Sequence, residues 1–301
     1  MKSEPEAAAD AKPGRIRIPV SQIAVRGTKL DALYDPAMAP TRARILPIAD
    51  LNREAIENAQ AMATLIREED GGPLRTFSGG LTHENGWHPS YKARRLLHWE
   101  GEAQLEYITA ADLDHDVVHV GTECLRVEFP LDGAMVHYTV DVETVGPDGR
   151  RRAIEIKRDE KDLENQAYRL KLAYVREILR RCDIDFRIVL RSEIFASRQH
   201  RRNVEDFASR RFRSIELAPG KRFERYAAAN ETSTYGELAA AIEPTSQVQG
   251  RATVQALVAR RRVVIDLTGP VRDTTPVRIV GLRKKTRAAS RSSRRATPGN
   301  A

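Results

Sequence analysis

Apolar positions recur at three- and four-residue steps between residues 50 and 68 (Leu51, Ile56, Ala59, Met62, Ala63, Ile66), and this spacing predicts an amphipathic helix ended by Gly71, Gly72 and Pro73. From Trp99 onward the pattern predicts a short helix over 99–112, strands over 117–120 and 124–129, and a hairpin of 136–145 with 151–157. A long helix over 163–181 and a strand over 186–191 follow. Helix, strands, helix, strand is the order of an α/β domain with a mixed sheet flanked by helices. A basic helical segment over 197–212 leads to helices over 234–242 and 248–259 and to strands over 262–267 and 276–280 around Gly269-Pro270. Helix, helix, hairpin is the order of a winged helix.

Composition sets bounds on this picture. With 301 residues, 41% hydrophobic and 31% charged, the chain can build two modest domains. No stretch approaches the roughly 20 apolar residues of a membrane helix, and the N-terminus lacks the apolar run of a secretory signal. Cys124 and Cys182 are too few for a disulfide framework or a thiolate metal cluster, which fits a reducing compartment. A soluble, cytoplasmic protein with no membrane partner is expected. The formal charge of +8 is carried by the end of the chain, where Arg283, Lys284, Lys285, Arg287, Arg291, Arg294 and Arg295 stand without an acid. An acidic stretch over 90–190 precedes a basic one over 191–226. The expected division is a disordered 1–16, an N-terminal helical and extended segment 17–87, an α/β domain 88–195, a basic helical connector 196–228, a winged helix 229–282 and a disordered basic tail 283–301.

The hairpin carries the strongest chemistry. Gly146-Pro147-Asp148-Gly149 is a turn, and a reversal near Asp148 sets Asp141 opposite Glu155. Alternation puts Lys157 on the face of Glu155 and gives Ile154 and Ile156 the other face. Two carboxylates and the carbonyl of Ile156 form a hard oxygen set suited to Mg²⁺ or Mn²⁺, and the Lys157 ammonium can offset charge developing on a phosphate. The plain alternative is a solvated face of an antiparallel pair. Gln166, Tyr168, Lys171 and Tyr174 on the long helix are candidates for the rim of this site, although Leu170, Leu172, Ile178 and Leu179 show that the helix also packs. A metal clip of His83, Glu84 and His88 in the loop 77–89 is disfavoured, because the loop is Gly-rich and lacks helical spacing.

The order and identity of several blocks add a resemblance. Ser90-Tyr-Lys-Ala-Arg-Arg-Leu-Leu-His-Trp-Glu-Gly101, Leu113-Asp-His-Asp-Val117, Tyr138-Thr-Val-Asp141, Ile154-Glu-Ile-Lys157 and Arg191-Ser-Glu-Ile194 together resemble the TnsA-type transposon endonucleases of the PD-(D/E)XK superfamily. The likeness covers about 88–195. It implies a restriction-endonuclease-like domain in which Asp141, Glu155 and Lys157 are catalytic and Asp141, Glu155 and the Ile156 carbonyl hold Mg²⁺ or Mn²⁺. It also implies a subunit that cuts DNA at transposon ends, with an integrase-like transposase and an ATPase regulator as partners.

One position departs from the family pattern. The catalytic glutamate expected on the first helix is Gln104 here; Glu100, placed one helical turn earlier, is the candidate replacement, and Glu106 lies on another face. For the winged helix, Gln249, Arg251, Thr253 and Gln255 are expected to read bases of double-stranded DNA, and Arg260, Arg261 and Arg262 to hold phosphates. The competing expectations are a free-standing nuclease of defence or repair, and an inactive winged-helix DNA-binding protein.

Overall fold

The computed structural model describes residues 14–23, 52–75 and 84–280; the basic tail and His83 lie outside them. Strand β1 (Arg15–Pro19) is the first element among the described residues, so Arg15 and Ile16, at the end of the segment expected to be disordered, belong to a sheet, and residues 1–13 of that expectation lie outside the described residues. Helix α1 (Arg53–Met62) is capped by Asn52, whose side chain accepts from the amides of Glu54 and Ala55. It is shorter than the helix expected over 50–68, because Thr64–Glu68 forms strand β2 instead. That strand bonds to β1 on one side and to β6 (Arg126–Leu131) on the other, and ladders on both edges outweigh a local helical periodicity.

A two-stranded hairpin, β3 (Asn85–Ser90) with β4 (Arg95–Glu100), precedes helix α2 (Glu102–Leu113). Gly101 makes the change of direction at φ +77°, a value open to glycine. The expected helix over 99–112 therefore begins later, and Trp99 and Glu100 belong to the strand. Strand β5 (His119–Thr122) follows. The segment expected as one strand over 136–145 splits into β7 (Ala134–Thr139) and β8 (Val142–Val145), which enter different sheets. Asp141 stands at that corner.

The first sheet runs β1-β2-β6-β7, entirely antiparallel. The second runs β5-β8-β9-β10, where β9 is Arg151–Lys157 and β10 is Ile184–Leu190. Helix α3 (Gln166–Arg181) makes the crossover between the parallel strands β9 and β10, the arrangement such a connection requires. Val142, Ile154 and Ile156 pack with Ile108 and Ala111 of α2 on one face of the second sheet. On the other face Ala153 and Ile188 join a core with Leu172, Val175, Ile178 and Leu179 of α3 and Val127 and Phe129 of the first sheet. Most of β1 and all of β2, from the segment 17–87, pair into the first sheet.

The C-terminal part contains α4 (Arg191–Ile194), α5 (Arg198–Ser209), α6 (Leu217–Ala229), β11 (Thr232–Thr234), α7 (Tyr235–Ile242), α8 (Gln247–Ala259), β12 (Val263–Ile265) and β13 (Pro276–Ile279). The last three strands form an antiparallel sheet in the order β11-β13-β12. Phe223 of α6 and Phe207 of α5 belong to the same core as Leu238 and Val254, so the basic connector is part of this unit. A Cβ on Gly250 would meet the Ala239 carbonyl at 2.3 Å, and glycine there lets α7 and α8 cross closely. Leu113 of α2 joins this core and links the two units. The whole is a mixed α/β protein, and no helix among the described residues is long and apolar enough to cross a membrane.

Candidate active site

The corner between β7 and β8 gathers the residues that the hairpin pattern singles out. Gly149 at φ +82° and the Gly146 amide on the Arg150 carbonyl (2.8 Å) close the turn. Val142 pairs with Ile154, and continuing that register sets Asp141 opposite Glu155. The two residues are joined through the next amide, since Ile156 N–H donates to Asp141 Oδ2 at 2.8 Å. Lys157 Nζ lies 2.6 Å from Glu155 Oε1, so the ammonium and carboxylate share a face as the alternation requires.

Glu155 is only 3% exposed, which removes the solvated-strand alternative for this residue. Its two oxygens accept from the hydroxyls of Tyr138 on β7 and Tyr168 on α3. Burial and the Glu155 charge push both phenols above their ordinary range, so they remain donors. Burial alone would lower the Lys157 ammonium, but Glu155 and Asp141 outweigh it and raise it, so Lys157 acts as a charge and not as a base. Lys157 also lies over the Tyr168 ring at 4.8 Å, as does Lys171 at 4.7 Å. Tyr174 points elsewhere, stacked on Phe129 in the core, and Gln166 is exposed. Burial and the nearby Glu155 charge push the half-buried Asp141 carboxyl well above the usual carboxylate range, against the pull of the Ile156 amide and Lys157.

The chemistry of the donors fits a hard divalent ion. Asp141 is half-buried, and its carboxylate accepts one backbone bond, leaving capacity for a metal. Glu155 takes Tyr168 and Lys157 at Oε1 but Tyr138 alone at Oε2, so that oxygen keeps a lone pair for an ion.

Gln104 is buried and both ends of its amide are used. Its Oε1 accepts from the Glu100 amide (2.6 Å), and its Nε2 donates to the Asp141 carbonyl (3.0 Å). Gln104 thus fixes the corner. Glu100 is not one helical turn before it, because Glu100 ends β4; its carboxylate meets Arg75 at 3.0 Å, beside Glu123 and not against Asp141. Glu106 is held by Arg191 at 2.7 Å and Arg201 at 2.9 Å.

A second acidic group adjoins the corner. Glu123, at φ +50°, donates its amide to the Asp141 carbonyl at 3.1 Å. One ligand atom each from His98, Glu100 and Glu123 lie within 4.8 Å of one another, so this group could hold a metal ion. Arg75 bridges its acids, at 3.0 Å from Glu100 and 2.6 Å from Glu123. Sequence patterning missed His98, Glu123 and Arg75. The one signal was a histidine within an apolar run, Leu96-Leu97-His98-Trp99. Of the disfavoured clip, His83 lies outside the described residues, Glu84 is exposed, and buried His88 lies on β3 with its Nε2 3.1 Å from Asp112.

The expected DNA-reading helix is placed differently from its expectation. Nine of the thirteen residues of α8 are buried, so it cannot lie along a groove by its length. Thr253 bonds to the Gln249 carbonyl, and Gln255 donates to Asp206 of α5 at 2.7 Å. These two residues are corrected to packing positions. Gln249 is exposed beside Arg213, and Arg251 makes a partly exposed ion pair with Asp273 at 2.7 Å. The three arginines expected on phosphates are each engaged within the protein. Arg260 and Arg261 donate to the carbonyls of Arg213 and His115, and Arg262 pairs with Glu224 at 3.0 Å. The chain matches no protein-family model and no curated protein.

Proposed function

We propose that this protein is a metal-dependent DNA endonuclease, the TnsA-type subunit of a heteromeric transposase, that hydrolyses phosphodiesters at transposon ends in the cytoplasm. The observation that carries the reading is the convergence of Asp141, Glu155 and Lys157 at one sheet corner. The surrounding order, α2, then antiparallel β5, β8 and β9, then α3 and parallel β10, supports reading this mixed α/β part as a restriction-endonuclease-like core. Asp141, the Ile156 carbonyl and Glu155 are the residues that would hold Mg²⁺ or Mn²⁺. Such an ion supplies Lewis acidity and lowers the pKa of a bound water. Lys157 offsets charge on the phosphate, and Tyr138 and Tyr168 fix Glu155.

The order α6, β11, α7, α8, β12, β13 agrees with a winged helix. In this reading Gln249 and Arg251, at the exposed start of α8, are the base contacts, and the tail supplies phosphate contacts. Double-stranded DNA, an integrase-like transposase and an ATPase regulator are the partners.

The test is cleavage of end-containing DNA with Mg²⁺ or Mn²⁺, with and without a transposase encoded beside it. Metal-dependent strand cutting is expected, strengthened by the transposase. Binding without cutting under every condition would instead support an inactive winged-helix binder, and cutting indifferent to the end sequence and the transposase a free-standing nuclease.

A further inference from the structure

We infer that His98, Glu100 and Glu123 form a binding site for one divalent transition-metal ion of the Mn²⁺, Fe²⁺, Co²⁺ or Zn²⁺ class, separate from the Asp141–Glu155 pair. Three observations converge. The ligand atoms lie within 4.8 Å of one another, and ligands at about 2.0 to 2.2 Å from a shared tetrahedral ion stand about 3.3 to 3.6 Å apart, so a contraction of little more than an ångström closes the set. Glu123 is 2% exposed, and its Oε2 accepts no hydrogen bond while lying 4.0 Å from His98 Nδ1. A buried carboxylate oxygen left in this state is costly unless a ligand meets it. Finally, Arg75 already places a cation between Glu100 and Glu123, which marks the group as one that takes positive charge. The half-exposed arginine can swing to solvent and yield that place.

The imidazole decides the metal class. Carboxylate and water sets suit Mg²⁺, whereas a nitrogen ligand favours borderline ions over it. Glu123 and Gln104 both bond to the Asp141 carbonyl, so filling this site would also stiffen the neighbouring corner. The site stands on its own geometry whether or not the protein cuts DNA.

Trp87 supplies the readout. It is exposed, and its ring meets His98 edge-on with centroids 5.3 Å apart, so Co²⁺ bound there quenches its fluorescence. The full-length protein is titrated with Co²⁺ without DNA, following tryptophan emission and visible absorption. Saturable quenching at about one equivalent is expected, resisting a large excess of Mg²⁺. His98→Gln and Glu123→Gln should weaken the affinity by about tenfold or more, Asp141→Asn should retain the quenching, and Arg75→Gln should tighten binding several-fold. Thermal melts establish that each variant is folded; should the first two fail to fold, Arg75→Gln, an exposed-side-chain change, carries the test. Absence of quenching, quenching lost only in Asp141→Asn, ready displacement by equimolar Mg²⁺, or Arg75→Gln with unchanged or weaker affinity would each overturn the proposal.

Discussion

The corner at Asp141 and the helix α8 are both polar sequences placed in buried settings, and they resolve that conflict in opposite ways. In α8 each buried polar group finds a partner: Thr253 bonds within the helix and Gln255 reaches Asp206. At the corner negative charge accumulates beyond its partners. Glu155, Asp141 and Glu123 meet there, and one oxygen of Glu123 accepts no hydrogen bond. Buried polarity that is satisfied serves packing, whereas buried polarity with a surplus of one sign is a place where a cation or a reacting group can be held.

The largest expected effect concerns the frame that holds the corner. Glu143 is buried and takes a two-point contact from Arg67, 2.6 Å at each oxygen, with Arg151 at 3.2 Å. Burial would raise its carboxyl, but the two arginines outweigh it and hold it below the usual range. This pair ties β2 of the first sheet to β8 of the second. Glu143→Ala should cost about 3 to 5 kcal/mol in urea unfolding, because it strands the Arg67 charge; a variant as stable as the parent would remove Glu143 from the frame.

A smaller effect separates the two kinds of polar residue on α8. Gln255→Ala should cost about 1 to 3 kcal/mol of stability without changing discrimination between a mobile-element end and a scrambled duplex. Gln249→Ala should do the reverse, keeping stability and losing about 1 to 3 kcal/mol of discrimination. Exchange of those two outcomes would break the comparison, since the buried residue would then be the reader. The smallest effect is expected from deleting residues 283–301, which should weaken all duplexes alike and flatten the salt dependence of binding by about 0.9 in log–log slope for each phosphate that the tail had neutralised. A change in sequence discrimination would assign the tail a role in reading bases.

Much of the corner was legible in the sequence because a tight turn fixes register, and register fixes which side chains face each other. Asp141, Glu155, Ile156 and Lys157 follow from Gly146 to Gly149 alone. The change of sheet at Asp141 was not legible, because a chain that leaves one ladder for another keeps its alternation. The second acidic group was equally hidden. His98, Glu100 and Glu123 come from a strand and a left-handed turn, brought together by packing and not by spacing. Residues 64–68 read as helix because Ala63 and Ile66 continue a helical step, while pairing with β1 and β6, invisible locally, decided for strand. The inward setting of α8 was hidden for the same reason: Thr253 and Gln255, polar residues that read as base contacts, are buried among the neighbouring helices.

The central claim, that the Asp141 corner is a metal-dependent nuclease centre, is tested most directly by Asp141→Asn. Asparagine keeps an oxygen for the Ile156 amide and removes the charge that would hold the ion. Cleavage and binding of end-containing DNA should be measured on the same samples, with Mg²⁺, with Mn²⁺ and with chelator. The account predicts cleavage by the parent protein that chelator abolishes. In Asp141→Asn it predicts a loss of roughly a hundredfold or more, with DNA affinity and melting temperature essentially retained. Parent-like cleavage by Asp141→Asn, or cleavage that persists in chelator, would contradict it.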